Sequence, residues 1–206
     1  MLRHAYHVLG IALLAWSTTA TAQTAAEPAA TKTAPAKVAP KTAGNPVVVI
    51  ETSKGRIVAE LFPDKAPRSV ENFIAYADAK FYDGLVFHRV IDGFMIQGGG
   101  YSADLQPRQV RAPIPLEAGR GLSNKRGTLA LARTAAPDSA TSQFFINLVD
   151  NDRLDSYGGG YAVFGRVTEG MQVVDAIAKV KTAPRAGQQD APVEPVILKS
   201  VRVTKR

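Results

Sequence analysis

The sequence predicts a mainly β fold, an eight-stranded antiparallel β-barrel closed by two α-helices. Three observations predict it. About eight short apolar and β-branched runs recur between residues 47 and 203, most of them joined by brief turns. Only two stretches carry the spacing of an amphipathic helix. Strands and helices do not alternate, as crossover connections in a parallel sheet would require, so an antiparallel barrel with helices over its open ends fits best.

Runs 47–51 and 56–62 are separated by Thr52-Ser53-Lys54-Gly55, a hairpin signal. Pro67 stands where a helix can start, and Val70, Phe73, Ile74 and Ala77 follow at helical spacing, which predicts a helix over 67–79. A turn at 80–84 leads into strands 85–91 and 94–97, divided by Asp92-Gly93. Gly98-Gly99-Gly100 and Gly158-Gly159-Gly160 match neither phosphate-binding fingerprint and read as permissive backbone in turns. The stretch from there to Arg126 has little periodicity, with 113–116 able to add a short edge strand. Strands 127–132, 142–148 and 161–167 follow. Met171, Val174, Ile177 and Ala178 then form one face of a second helix after Gly170, and 193–203 closes the chain as a strand.

Ahead of this domain, residues 1–22 read as a signal peptide: Arg3, a nine-residue apolar run ending at Trp16, and the small-residue site Ala20-Thr21-Ala22. That run is less than half of the roughly 20 residues a membrane span needs, so no stable membrane insertion is expected and cleavage would begin the mature chain at Gln23. Residues 23–45 are Ala, Pro, Thr and Lys with almost nothing to bury, which predicts a disordered linker before a domain at 46–206. There is no cysteine, so thiol catalysis and disulfides are excluded. Between 108 and 133 six basic residues face only Glu117, yet no aromatic is interleaved with them. A solvated face rather than a nucleic-acid groove is therefore expected.

His88 is the single histidine of the predicted domain, which disfavours a histidine-based metal site, and no G-x-S-x-G elbow is present. Neither metal nor cofactor is expected. Prolyl isomerisation needs neither. Its barrier is the roughly 18–20 kcal/mol of amide resonance, lowered when a donor bonds the pyramidalising imide nitrogen while an apolar pocket holds the ring. Arginine, always charged and rigidly planar, suits that donor role.

Phe87-His88-Arg89-Val90-Ile91 with Gly93-Phe94-Met95-Ile96-Gln97-Gly98-Gly99 closely resembles the signature segment of cyclophilins. The similarity continues through the blocks at 124–134, Ser142-Gln143-Phe144-Phe145-Ile146-Asn147 and Tyr161-Ala162-Val163-Phe164-Gly165, in family order. Ala132-Arg133-Thr134 is similar to the bacterial exported branch. The resemblance implies an isomerase of X-Pro bonds, acting on proline-containing exported polypeptides in the periplasm, and it implies a monomer. It makes Arg89 the donor to the imide nitrogen and Phe94, Met95, Phe145 and Leu154 the proline pocket. Gln97, Gln143 and the backbone at Ala132 and Arg133 would orient the peptide, with Tyr161 at the rim. Arg153 stands where relatives sensitive to cyclosporin carry tryptophan, which implies weak inhibition by that drug. A proline-segment-binding module with little turnover is the alternative.

Strand parity makes its own predictions. Gln143, Phe145 and Asn147 share one face, leaving Phe144, Ile146 and Leu148 for the core. His88 and Arg89 point opposite ways, with His88 structural. Adjacent Phe94 and Met95 can both serve one site only if the chain bends near Gly93.

Overall fold

The computed structural model describes residues 44–205, so residues 1–22 and most of the 23–45 segment lie outside it. The elements run β1 (Val47–Thr52), β2 (Gly55–Leu61), α1 (Pro67–Asp78), β3 (Leu85–Ile91), β4 (Met95–Ser102), β5 (Thr128–Leu131), β6 (Phe144–Asn147), β7 (Val163–Glu169), α2 (Met171–Ala178), β8 (Thr182–Arg185), β9 (Gln188–Pro192) and β10 (Val196–Lys205). Eight strands close a barrel in the order β1-β10-β3-β4-β6-β5-β7-β2, every pair antiparallel.

Closure leaves the barrel itself without a sheet edge, and the inward side chains fill the interior. Val48, Ile50, Ile57, Ala59 and Leu61 alternate inward along the first hairpin. Helix α1 packs on β7 and β10 and sends Phe73 among Tyr82, Phe144 and Phe164, with ring centroids 5.1–5.4 Å apart. Each buried aromatic of this kind contributes roughly 1.5–3 kcal/mol of transfer free energy. Helix α2 packs on β2, β3 and β4 and buries Val174, Ile177 and Ala178, as its apolar spacing predicts.

Helix α1 begins with Pro67 after Ala66, which offers no side-chain cap. The missing acceptor comes from far along the chain. Buried Glu117 accepts the Arg68 and Ser69 backbone N–H groups at 3.1 and 2.8 Å and the Ser69 hydroxyl at 2.9 Å, satisfying orphan donors where the helix dipole favours an anion. This contact ties down the aperiodic stretch after β4. Its expected edge strand reduces to one bridge, Ile114 to Ala140.

Two expectations need correcting. Gly98-Gly99-Gly100 is not a turn but part of β4, which runs on to Ser102. The reason is close packing. A Cβ at Gly98 would sit 3.0 Å from the Phe87 ring, and one at Gly100 only 2.6 Å from Gln143 Cγ, while Gly99 has φ +85°. The last strand begins at Val196 rather than 193, and the residues before it form the hairpin β8–β9 outside the barrel. Its turn has Ala186 at φ 46° and Gly187 at φ 82°, and with Pro184 and Pro192 in its strands it shows no alternating pattern.

Candidate active site

A single row of the ladder crosses half the barrel wall. Arg89 on β3 is registered with Gln97 on β4, Gln97 with Phe145 on β6, Phe145 with Ala130 on β5, and Ala130 with Val163 on β7. Neighbours in such a row point the same way. Phe144 and Ile146, one residue to either side of Phe145, belong to the barrel core, so this row points outward. Met95, Ala130, Phe145 and Val163 form a second apolar cluster there, joined by Phe94, Ala132, Leu154 and Tyr161. A hollow opens over this cluster.

That hollow is a cavity of about 270 Å³ lined by Arg89, Phe94, Met95, Gln97, Ala132, Arg133, Phe145, Leu154 and Tyr161. All the residues expected at the site are present except Gln143, which stands one step behind: Gln97 Nε2 donates to Gln143 Oε1 at 2.9 Å. Arg89 Nη1 donates to Gln97 Oε1 at 3.4 Å, so the chain Arg89–Gln97–Gln143 runs along one edge. A register shift between Phe87 and Arg89 bulges β3 where it carries the arginine. Phe94 is in the turn before β4, where its N–H donates to the Ile91 carbonyl at 3.1 Å with Gly93 at φ 70°. The bend near Gly93 therefore brings both Phe94 and Met95 to the cavity.

His88 is 2 % exposed and stacks near Tyr101, centroids 4.5 Å apart. Burial above all, helped by neighbouring Arg89, lowers its pKa from an ordinary 6.5 to about 4, even though polar contacts with the Val86 carbonyl and Gln143 act in the other direction. His88 Nδ1 has no hydrogen-bond partner among the described residues. The imidazole is neutral near pH 7 and stands behind the row rather than in the cavity.

The far rim is fixed by polar side chains that sequence reasoning did not single out. Asp155 accepts both the backbone N–H and the Nδ2 of Asn124, each at 2.8 Å. Burial pushes the Asp155 carboxyl up, but these bonds outweigh it and hold its pKa below the usual range. Asn147, inaccessible on the face predicted for it, donates to Asn124 Oδ1 at 3.2 Å and Thr128 Oγ1 at 2.9 Å. Asn151 bonds the Asn147 amide oxygen at 2.8 Å and the Phe94 carbonyl at 3.0 Å. This buried network holds the segment carrying Leu154 and Tyr161. Asn124 and Asn147 lie in the cyclophilin-like blocks, but their meeting with Asn151 and Asp155 joins distant segments and had no signal of its own.

Arg133 belongs to the same rim. Its guanidinium donates to the carbonyls of Gly160 (3.0 Å), Thr134 (2.9 Å), Tyr157 (3.1 Å) and Gly158 (2.7 Å) and lies 4.6 Å over the Tyr161 ring. Tyr161 meets Phe145 edge-on at 5.7 Å. The other bases of the 108–133 window are paired in space. Lys125 meets Asp150 and Asp152, Arg126 meets Asp175, and Arg120 meets Glu117. Arg108 and Arg111 lie over the Phe81 and Tyr76 rings. Arg153 is exposed and does not line the cavity. Among the described residues no cluster of three metal-ligating side chains occurs.

Comparison with known proteins agrees with this fold. The family described as cyclophilin type peptidyl-prolyl cis-trans isomerase/CLD matches residues 47–203. Peptidyl-prolyl cis-trans isomerase cyp18 of Streptomyces antibioticus is 54% identical over 161 residues, covering 76% of this chain and 97% of that protein. Peptidyl-prolyl cis-trans isomerase B of Escherichia coli is 50% identical over 164 residues, covering 77% of this chain and all of that protein. A crystal structure of a cyclophilin type isomerase from Cryptosporidium parvum, obtained in the presence of the dipeptide Ala-Pro, superposes with TM-score 0.66 at 26% identity, covering 78% of this chain and 99% of that one.

Proposed function

This chain belongs to the cyclophilin-type peptidyl-prolyl cis-trans isomerases and acts on proline-containing polypeptides, and from that premise we propose that Arg89 is its electrophilic donor. In the reaction the imide nitrogen loses conjugation with its carbonyl and becomes a lone-pair acceptor. A guanidinium N–H aimed at that lone pair is strongest in the twisted state, which is the condition for raising kcat. The apolar wall of Phe94, Met95, Phe145 and Leu154 would hold the proline ring, leaving the preceding residue free to rotate. Gln97 and Gln143 would hold the peptide, with the backbone at Ala132 and Arg133 pairing to it in strand fashion and Tyr161 closing the rim. The observation that carries the reading is the register row, which sets one charged donor beside an apolar hollow.

A bond from a charged donor contributes roughly 1.5–3 kcal/mol, so Arg89→Ala should lose about ten- to a hundredfold or more in turnover of a short proline peptide. Circular dichroism and melting should be unchanged. Arg89→Lys should also be impaired, because an ammonium lacks the planar fork. Full activity in Arg89→Ala would overturn the assignment.

The reading extends to the cellular setting. Residues 1–22 would direct export and be removed, and 23–45 would tether the isomerase domain, which acts as a monomer on exported polypeptides in the periplasm. It would bind no nucleic acid and insert stably in no membrane. No described helix is long and apolar enough to cross a membrane. N-terminal sequencing of protein recovered outside the cytoplasm should begin at Gln23. Recovery only in membranes with Met1 retained would count against export.

A further inference from the structure

Hairpin β8–β9 is the element without a signal in the sequence, and it reaches the site. β9 lies against β3, and Ala191 packs with Val86 and Leu105 to hold it there. The neighbouring residue, Asp190, alternates to the other side of its strand. Its Oδ2 comes 3.8 Å from Arg89 Nε. The guanidinium therefore meets two partners on different edges: Gln97 Oε1, which accepts a hydrogen bond from Nη1, and the Asp190 carboxylate, which pairs with Nε by charge at 3.8 Å, beyond hydrogen-bond reach. Nη2 has no partner among the described residues.

We propose that Asp190 is a positioning residue for the isomerisation, its charge biasing the rotation of the Arg89 guanidinium so that its Nη edge faces the proline pocket. The proposal rests on Arg89 being the donor. A planar fork held at one acceptor can still swing about that bond. A carboxylate facing another edge favours one orientation of that swing through its charge, so less order remains to be imposed when substrate twists. Both partners are 39 % exposed in their side chains. A pair so open to water adds little to stability, and the hairpin is anchored by Ala191 instead. Removing the carboxylate should therefore alter turnover and not the fold.

The test is steady-state kinetics on a short uncharged proline peptide with Asp190→Asn, Asp190→Glu, Arg89→Ala, Arg89→Lys and the double variant Arg89→Lys/Asp190→Asn. Asp190→Asn should lower kcat about two- to fivefold, the scale of an exposed ion pair, with KM and melting temperature unchanged. Asp190→Glu should restore most of the loss. In the Arg89→Lys background Asp190→Asn should cost nothing further, and the Arg89 Nε–H resonance, sharp in the parent, should broaden in Asp190→Asn. Unchanged kcat in Asp190→Asn, a full additive loss in the double variant, or a loss that tracks melting temperature would overturn the proposal. If Arg89→Ala is inactive while Asp190→Asn is silent, only this inference fails. If Arg89→Ala is fully active, the reading beneath it fails as well.

Discussion

Arg89, Gln97 and Phe145 on the wall of the cavity and Leu154, Tyr161 and Arg133 at its rim are positioned by different means. The wall residues occupy consecutive places in a backbone ladder, so the hydrogen bonds that define the barrel also define the site. The rim residues hang on side-chain bonds, among them Asn124 to Asp155, Asn151 to the Phe94 carbonyl, and Arg133 to four carbonyls. A ladder position survives most side-chain changes. A position held by a polar network depends on each member, because a buried partner left unsatisfied costs about 1–3 kcal/mol.

The largest effect that separates the two regions concerns what lies behind the wall. His88 is buried there and titrates at about 4 rather than 6.5. As pH falls below 6.5 the unfolded chain takes up the proton first, since burial disfavours the imidazolium in the folded state. Stability is thus full above about 6.5, falls through the window, and levels off below about 4, a loss of about 3 kcal/mol in all. The carboxylates held low, Asp83 by its bond from Arg202 and Asp155 at the rim, lose their contribution mainly below this window. Urea unfolding at several pH values should show the slope in the parent and its absence in His88→Gln. An equal slope in both would mean that the wall admits water to the ring.

The same division explains what the sequence made legible. Period-two alternation placed Phe144 and Ile146 inside and Phe145 outside, and the helical spacing of Val70, Phe73 and Ala77 placed α1 to within a residue. Among the residues that line the cavity, the cyclophilin-like blocks marked Arg89, Met95, Gln97 and Phe145, which sit in the ladder itself. What stayed hidden depends on encounters between distant segments. Glu117 caps a helix 48 residues upstream, and Asp150, Asp152 and Asp175 neutralise a basic window they do not belong to. Asp190 meets Arg89 through a hairpin whose prolines and Ala-Gly turn carry no strand pattern. The glycines at 98–100 misled for a related reason, since close approach of Phe87 and Gln143, not a turn, requires them.

The smaller of the two effects that separate wall from rim is at the rim, and it differs in kind. Arg133→Lys keeps the charge but replaces a planar fork with a single ammonium, which cannot reach the carbonyls of Thr134, Tyr157, Gly158 and Gly160 together. These bonds are partly exposed, so the cost to stability should be about 1–2 kcal/mol rather than the sum of four buried bonds. The guanidinium also lies over the Tyr161 ring, which in turn meets Phe145. Releasing it frees the ring that closes the cavity while leaving Arg89 and Gln97 in their ladder. The substitution should therefore raise KM for a proline peptide about two- to tenfold with kcat nearly kept, the signature of lost uniform binding. That is the opposite of the kcat effect expected at Asp190. A fall in kcat at unchanged KM would show that the rim takes part in the chemical step, and the separation of wall from rim would not hold.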